Sequence, residues 1–148
     1  MNARFVRALA LLSLASLSVG CATRYQPDDF AGTWRGQATC VNTVGSPTVE
    51  QVLSIEIGVQ GRVEGTIAWR TLDAGLGHDP DGEEVFEDIE NVIGIASVED
   101  GSMALVETAE PGTLFARMRP DGRLELLRTQ PGQQPVVTLA TLARDDER

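Results

Sequence analysis

From Phe30 onward the chain alternates between apolar and polar residues with a period of two, and turn signals cut it into short runs. That pattern selects half-buried strands and leaves no long helical period to compete with them. In the first run, Phe30 to Val41, Trp34, Gly36, Ala38 and Cys40 share one face, while Arg35, Gln37 and Thr39 share the other. The second runs from Glu50 to Val59, the dipeptide Gln60-Gly61 turns the chain, and the third runs from Arg62 to Thr71. Two alternating runs joined by such a dipeptide predict a β-hairpin. After a Gly-, Asp- and Pro-rich loop, Leu72 to Glu84, comes Ile89 to Glu99, with apolar residues on both faces. Asp100-Gly101 turns into Met103 to Thr108, and Pro111-Gly112 into Leu114 to Arg119. Pro120-Asp121-Gly122 then leads to Arg123 to Thr129, and Pro135 to Ala143 closes the series.

About eight short strands with mostly tight connections predict an all-β domain, an antiparallel meander over residues 30–143 with a charged tail at 144–148. Consecutive hairpins place sequence neighbours side by side, and closing such a sheet into a small barrel removes its exposed edges. A two-sheet sandwich would use the same strands and is the alternative. The inward positions mix Ile, Leu and Val with Gly36, Ala38 and Gly65. The small residues either leave room for a ligand or let a narrow barrel close. A chain this short favours an interior filled by its own side chains.

The N-terminal segment has a different character. Met1 to Arg7 is short and basic, and Ala8 to Leu17 is apolar. A stretch of ten residues cannot span a bilayer, which needs about 20, but it fits the core of a secretion signal covering residues 1–20. Ser18-Val19-Gly20-Cys21 follows. It resembles the lipobox of bacterial lipoproteins, in which a small residue precedes the modified cysteine. The resemblance implies that Cys21 carries a thioether-linked diacylglycerol and usually an additional acyl chain such as palmitate. More than one chain makes anchoring stable, at about 0.8 kcal/mol per buried methylene. Ala22 in the following position implies sorting to the outer membrane, facing the periplasm. Residues 21–29 then form the lipidated cysteine and a short polar tether.

Composition narrows the chemistry. The net charge is −10, and removal of the signal with Arg4 and Arg7 takes it to −12. A surface of that sign repels phosphate backbones, so no nucleic-acid partner is expected. The chain contains no Lys and a single His, His78, which excludes lysine nucleophiles and multi-histidine metal centres. With Cys21 committed to lipid, Cys40 has no partner for an internal disulfide. Its phase with Trp34 predicts an inert core thiol.

Phe30-Ala31-Gly32-Thr33-Trp34-Arg35-Gly36 resembles the Gly-x-Trp signature on the first strand of lipocalin-like and avidin-like (calycin) barrels. The resemblance implies that Trp34 plugs one end of the barrel. It also implies an arginine from the end of the chain packed over the Trp, and Arg144 lies in that region, just past the last expected strand. The stretch Ala31-Gly32-Thr33-Trp34 is also similar to the start of small periplasmic inhibitors of proteases and lysozymes.

The loop around His78 concentrates polar chemistry. Asp79, Asp81 and Glu83 are hard oxygen ligands in a glycine-containing loop, a set that could hold calcium weakly. Their spacing does not complete an EF-hand, and a solvated acidic loop accounts for them. Glu87, Asp88 and Glu90 read as part of the same acidic stretch, continuing along the outer face of a strand. Neither a catalytic constellation nor a cofactor motif is present, so the expectation is not an enzyme but a binding or interaction module. Its partner would be an envelope protein or a small apolar ligand, and an inhibitor of a periplasmic hydrolase is the alternative.

Overall fold

The computed structural model describes residues 25–72 and 87–145. A one-turn helix, α1 (Pro27–Phe30), leads into eight strands: β1 (Gly32–Val41), β2 (Thr48–Ile57), β3 (Arg62–Thr71), β4 (Glu87–Ser97), β5 (Ser102–Glu107), β6 (Thr113–Met118), β7 (Leu124–Gln130) and β8 (Val136–Arg144). Every strand pairs antiparallel with its sequence neighbour, and β8 returns to β1 with Ala38 opposite Ala140 and Trp34 opposite Arg144. The sheet is therefore a closed eight-stranded meander barrel, the calycin-like architecture, and not a sandwich.

Alternation places side chains as the pattern implies. Trp34, Ala38 and Cys40 of β1, Leu53 and Ile55 of β2, and Val63 and Ile67 of β3 all point into the buried interior. A large apolar side chain so buried contributes roughly 1.5–3 kcal/mol. The β2–β3 hairpin is real, but β2 ends at Ile57 and Val59 lies exposed in a short 3-10 turn. Gln60 and Gly61 take left-handed backbone angles there, φ 58° and 76°, as a tight hairpin turn demands. In β4 the inward row is Glu90, Val92 and Ala96, while Ile89, Ile93 and Ile95 are exposed. Ile95 belongs to an outer row that runs through Ala104, Phe115, Leu127 and Leu139 on successive strands, which is why β4 reads as apolar on both faces.

The small inward residues serve close approach of the strands rather than ligand space. A Cβ on Gly65 would overlap the carbonyl oxygen of Ser54 and the backbone of Ile55, and one on Gly36 would overlap the carbonyl oxygen of Thr141. Glycine at these positions lets adjacent strands coil tightly enough for the barrel to close.

One end of the barrel is sealed. Phe30, expected in the first strand, instead ends α1 and is fully buried. Trp34 is 1% exposed and donates from Nε1 to the Phe30 carbonyl oxygen at 2.8 Å. The Arg144 guanidinium lies 4.7 Å from the centroid of the Trp34 ring. It also donates to the carbonyl oxygens of Ala31, Asp28 and Asp29, holding the entry segment across the barrel end. Arg144 is thus the last residue of β8 and not the first of a loose tail. Tyr25 is docked at the same end: its N–H donates to the Val98 carbonyl oxygen at 3.1 Å and its ring packs 5.9 Å from that of Phe30. The part of the expected tether from Tyr25 onward is therefore folded onto the barrel.

Candidate functional site

The barrel interior has two tiers. The half beside Trp34 is apolar, filled by residues such as Leu53, Ile67, Met103, Leu126 and Leu142. The other half contains, among the described residues, every buried polar or charged side chain: Gln51, Glu90, Glu107, Arg128 and Thr138. They come from β2, β4, β5, β7 and β8, and each lies in the inward phase of its strand next to apolar neighbours two residues away. Burying polar groups is costly unless they are paired, so five from five strands on one level is an informative arrangement.

Above this layer the barrel opens into a cavity of about 580 Å³. Its floor includes Gln51, Arg128 and Thr138, its walls include Val49, Trp69 and Val136, and the segments 109–111 and 131–134 edge its mouth. The expectation of an interior filled by side chains holds for the sealed half only. Large residues pack there, whereas Cys40, Val49, Thr138 and Val136 are too short to fill the open half.

The polar layer is wired from floor to rim. Arg128 donates from Nε to Glu107 Oε1 at 2.5 Å and from Nη2 to Gln130 Oε1 at 3.0 Å. Gln130 in turn donates from Nε2 to Glu110 at the mouth. On the other side Gln51 Nε2 donates to Thr138 Oγ1 at 2.8 Å. Three buried polar atoms in the described residues have no protein partner: Gln51 Oε1, Trp69 Nε1 and Glu107 Oε2. A buried atom left in this way costs about 1–3 kcal/mol, a loss that a bound partner would recover.

Electrostatics in this half are acidic. Burial pushes the Glu90 carboxyl up from its usual range, and Asp88, Glu110 and Glu107 push it further, while Arg128 opposes them. Glu90 is 8% exposed and faces inward, which corrects its assignment to an outer acidic face. Its place is fixed by phase: it is two residues from Val92, on the same side of β4. Asp88, also inward in phase, lines the cavity mouth. Cys40 is buried and forms part of the cavity wall, and burial raises its thiol pKa against a smaller lowering by Arg128. A thiol so placed is protonated and slow to react.

Trp34 lies at the sealed end and takes no part in the cavity. Cys21, His78, Asp79, Asp81 and Glu83 lie outside the described residues. Among the described residues no group of three or more His, Cys, Asp or Glu side chains is placed to hold a metal ion. The layer of Gln51, Glu90, Glu107, Arg128 and Thr138 was not singled out from the sequence. Its signal was there as a polar residue standing in an apolar phase, as in Leu124, Leu126, Arg128 and in Met103, Leu105, Glu107. No protein-family model matches the chain, and no curated protein matches its sequence.

Proposed function

We propose that this chain is a lipid-anchored binding protein of the bacterial envelope that holds a small molecule in the open half of its barrel without transforming it. The single observation that carries the binding part is the layer of buried polar residues beneath a cavity of about 580 Å³, with unpartnered atoms on the lining residues Gln51 and Trp69. Cavities of roughly 300–1,000 Å³ with a few convergent polar groups are the usual form of small-molecule sites. The polar floor refines the expected ligand from purely apolar to one with a polar head and an apolar body. The anchoring part rests on the apolar stretch Ala8 to Leu17 and on Ser18-Val19-Gly20-Cys21, and Ala22 after the cysteine supports an outer-membrane, periplasm-facing location.

Native mass spectrometry of the protein gently extracted from its own envelope tests the binding reading. A stoichiometric additional mass of small-molecule size, beyond the acyl chains, is the expected result. A bare chain, with no small molecule recovered by solvent extraction, would sink it. Anchoring is tested separately, since Cys21→Ser should abolish incorporation of labelled fatty acid and release the protein from the membrane fraction.

A further inference from the structure

We infer that the ligand of this cavity is a small, partly apolar amine, bound with its ammonium group toward Gln51 in a space edged by the carboxylates of Asp88 and Glu110; this deepens the binding reading above and rests on it. The first argument is charge. Asp88 and Glu110 line the cavity and both act on the buried Glu90, and Arg128 is the only cationic residue among the described ones lining the cavity. That guanidinium is already engaged by Glu107 and Gln130, and Glu107 compensates its charge at 2.5 Å. With that charge compensated, Asp88 and Glu110 leave the space acidic, and a cleft with an excess of one sign of charge concentrates ligands of the opposite sign.

The second argument is hydrogen-bonding capacity and does not depend on charge. Gln51 is fully buried, lines the floor, and spends its amide nitrogen on Thr138, so its Oε1 is left as an acceptor without a donor. That atom requires an N–H or O–H donor from the occupant, and an ammonium group has three donors and no acceptor. A carboxylate has none to offer. Trp69 Nε1 is a donor without an acceptor on the cavity wall, and a neutral oxygen elsewhere on the same ligand would satisfy it. The walls at Pro47, Val49, Pro131 and Val136 suit an apolar body.

The test uses the full chain in mild detergent at low salt and three compounds of one shape: cyclohexylmethylamine, cyclohexylmethanol and cyclohexanecarboxylate. Binding is read by calorimetry, with Trp69 emission reporting the site and Trp34, sealed at the other end, as the constant background. The amine should bind about tenfold or more tighter than the alcohol, with the carboxylate weakest. The double variant Asp88→Asn/Glu110→Gln changes only exposed rim residues and should narrow the gap between amine and alcohol without affecting folding. If the carboxylate binds tightest, Arg128 is the recognition group and the amine proposal falls, while the cavity reading stands. If none of the three binds, or if the rim variant leaves the gap between amine and alcohol unchanged, the amine proposal also falls. The mass measurement on the native protein then judges the cavity reading by itself.

Discussion

Arg128 donates through Nε to Glu107 Oε1 at 2.5 Å, with side chains 4% and 0% exposed. A pair so buried owes its place to mutual compensation, because each charge alone would be stranded away from water. Arg128→Met and Glu107→Leu should each destabilise the fold by about 3–5 kcal/mol. The double variant should recover most of that loss, since apolar residues can replace a buried pair with little net cost. Denaturant unfolding of the four proteins gives the coupling directly; additive losses in the double variant would contradict this account.

Glu90 should make stability depend on pH in the direction opposite to a salt-bridged carboxylate. Its carboxyl is raised in the folded state by burial and by Asp88, Glu110 and Glu107. The folded protein therefore holds this proton at pH values where the unfolded chain has lost it. The contribution is a penalty, absent below the unfolded value of about 4.3 and growing as pH rises toward the raised folded value. Glu90→Gln should accordingly stabilise the protein at neutral pH, with the gain disappearing by about pH 4. Melting temperatures of parent and variant across that range decide it, and a gain largest in acid would reverse the sign argued here.

How much of this was legible in the sequence differs between the two halves of the barrel. The meander, the hairpin turns and the inward phase of Trp34, Leu53 and Ile67 follow from alternation, because a strand buried on one face leaves a period-two record. The binding half leaves no comparable record. Gln51, Glu107 and Arg128 occupy core phases, but a polar residue in a core phase gains its meaning only from partners on other strands. The Gln51–Thr138 bond spans residues 87 apart in the chain, a distance no local pattern encodes. Glu90 was misplaced for a related reason: neighbouring acidic residues made it resemble a solvated stretch, whereas its phase with Val92 carries it inward.

Gly65→Ala should be among the most damaging single-methyl additions to the barrel. The new Cβ would meet the Ser54 carbonyl and the Ile55 backbone, neither of which can turn aside as a flexible side chain would. Overpacking of this kind costs about 1–3 kcal/mol. By contrast, Gly122→Ala faces open space but sits at φ 77°, so its cost comes from backbone strain alone, at roughly 1 kcal/mol. Thermal unfolding of the two variants should rank Gly65→Ala as the less stable, and equal melting points would show that the strands can separate more easily than their register suggests.

Arg144→Ala should loosen the sealed end while leaving the cavity intact. It removes the guanidinium from the Trp34 face and frees the carbonyl oxygens of Ala31, Asp28 and Asp29. The exposed cation–π contact contributes about 0.5–1 kcal/mol, and the hydrogen bonds together about as much again. A melting point lower by several degrees is expected, with faster amide exchange over residues 28–31. Unchanged exchange there would mean that Phe30 and Tyr25 alone hold the segment.

Tyr25 enters the fold at the sealed end, beside Val98 and Phe30, while the cavity opens at the opposite end of strands up to 11 residues long. Any attachment made upstream of Tyr25 therefore orients the whole domain. With the lipid anchor proposed at Cys21, the Trp34 end would lie toward the anchoring surface and the mouth would be displaced from it by roughly the height of the barrel, about 25 Å for strands tilted near 40°. On the binding and anchoring proposed above, such a barrel would take its cargo from the aqueous side, or from another protein passing over it, and not by dipping into the bilayer.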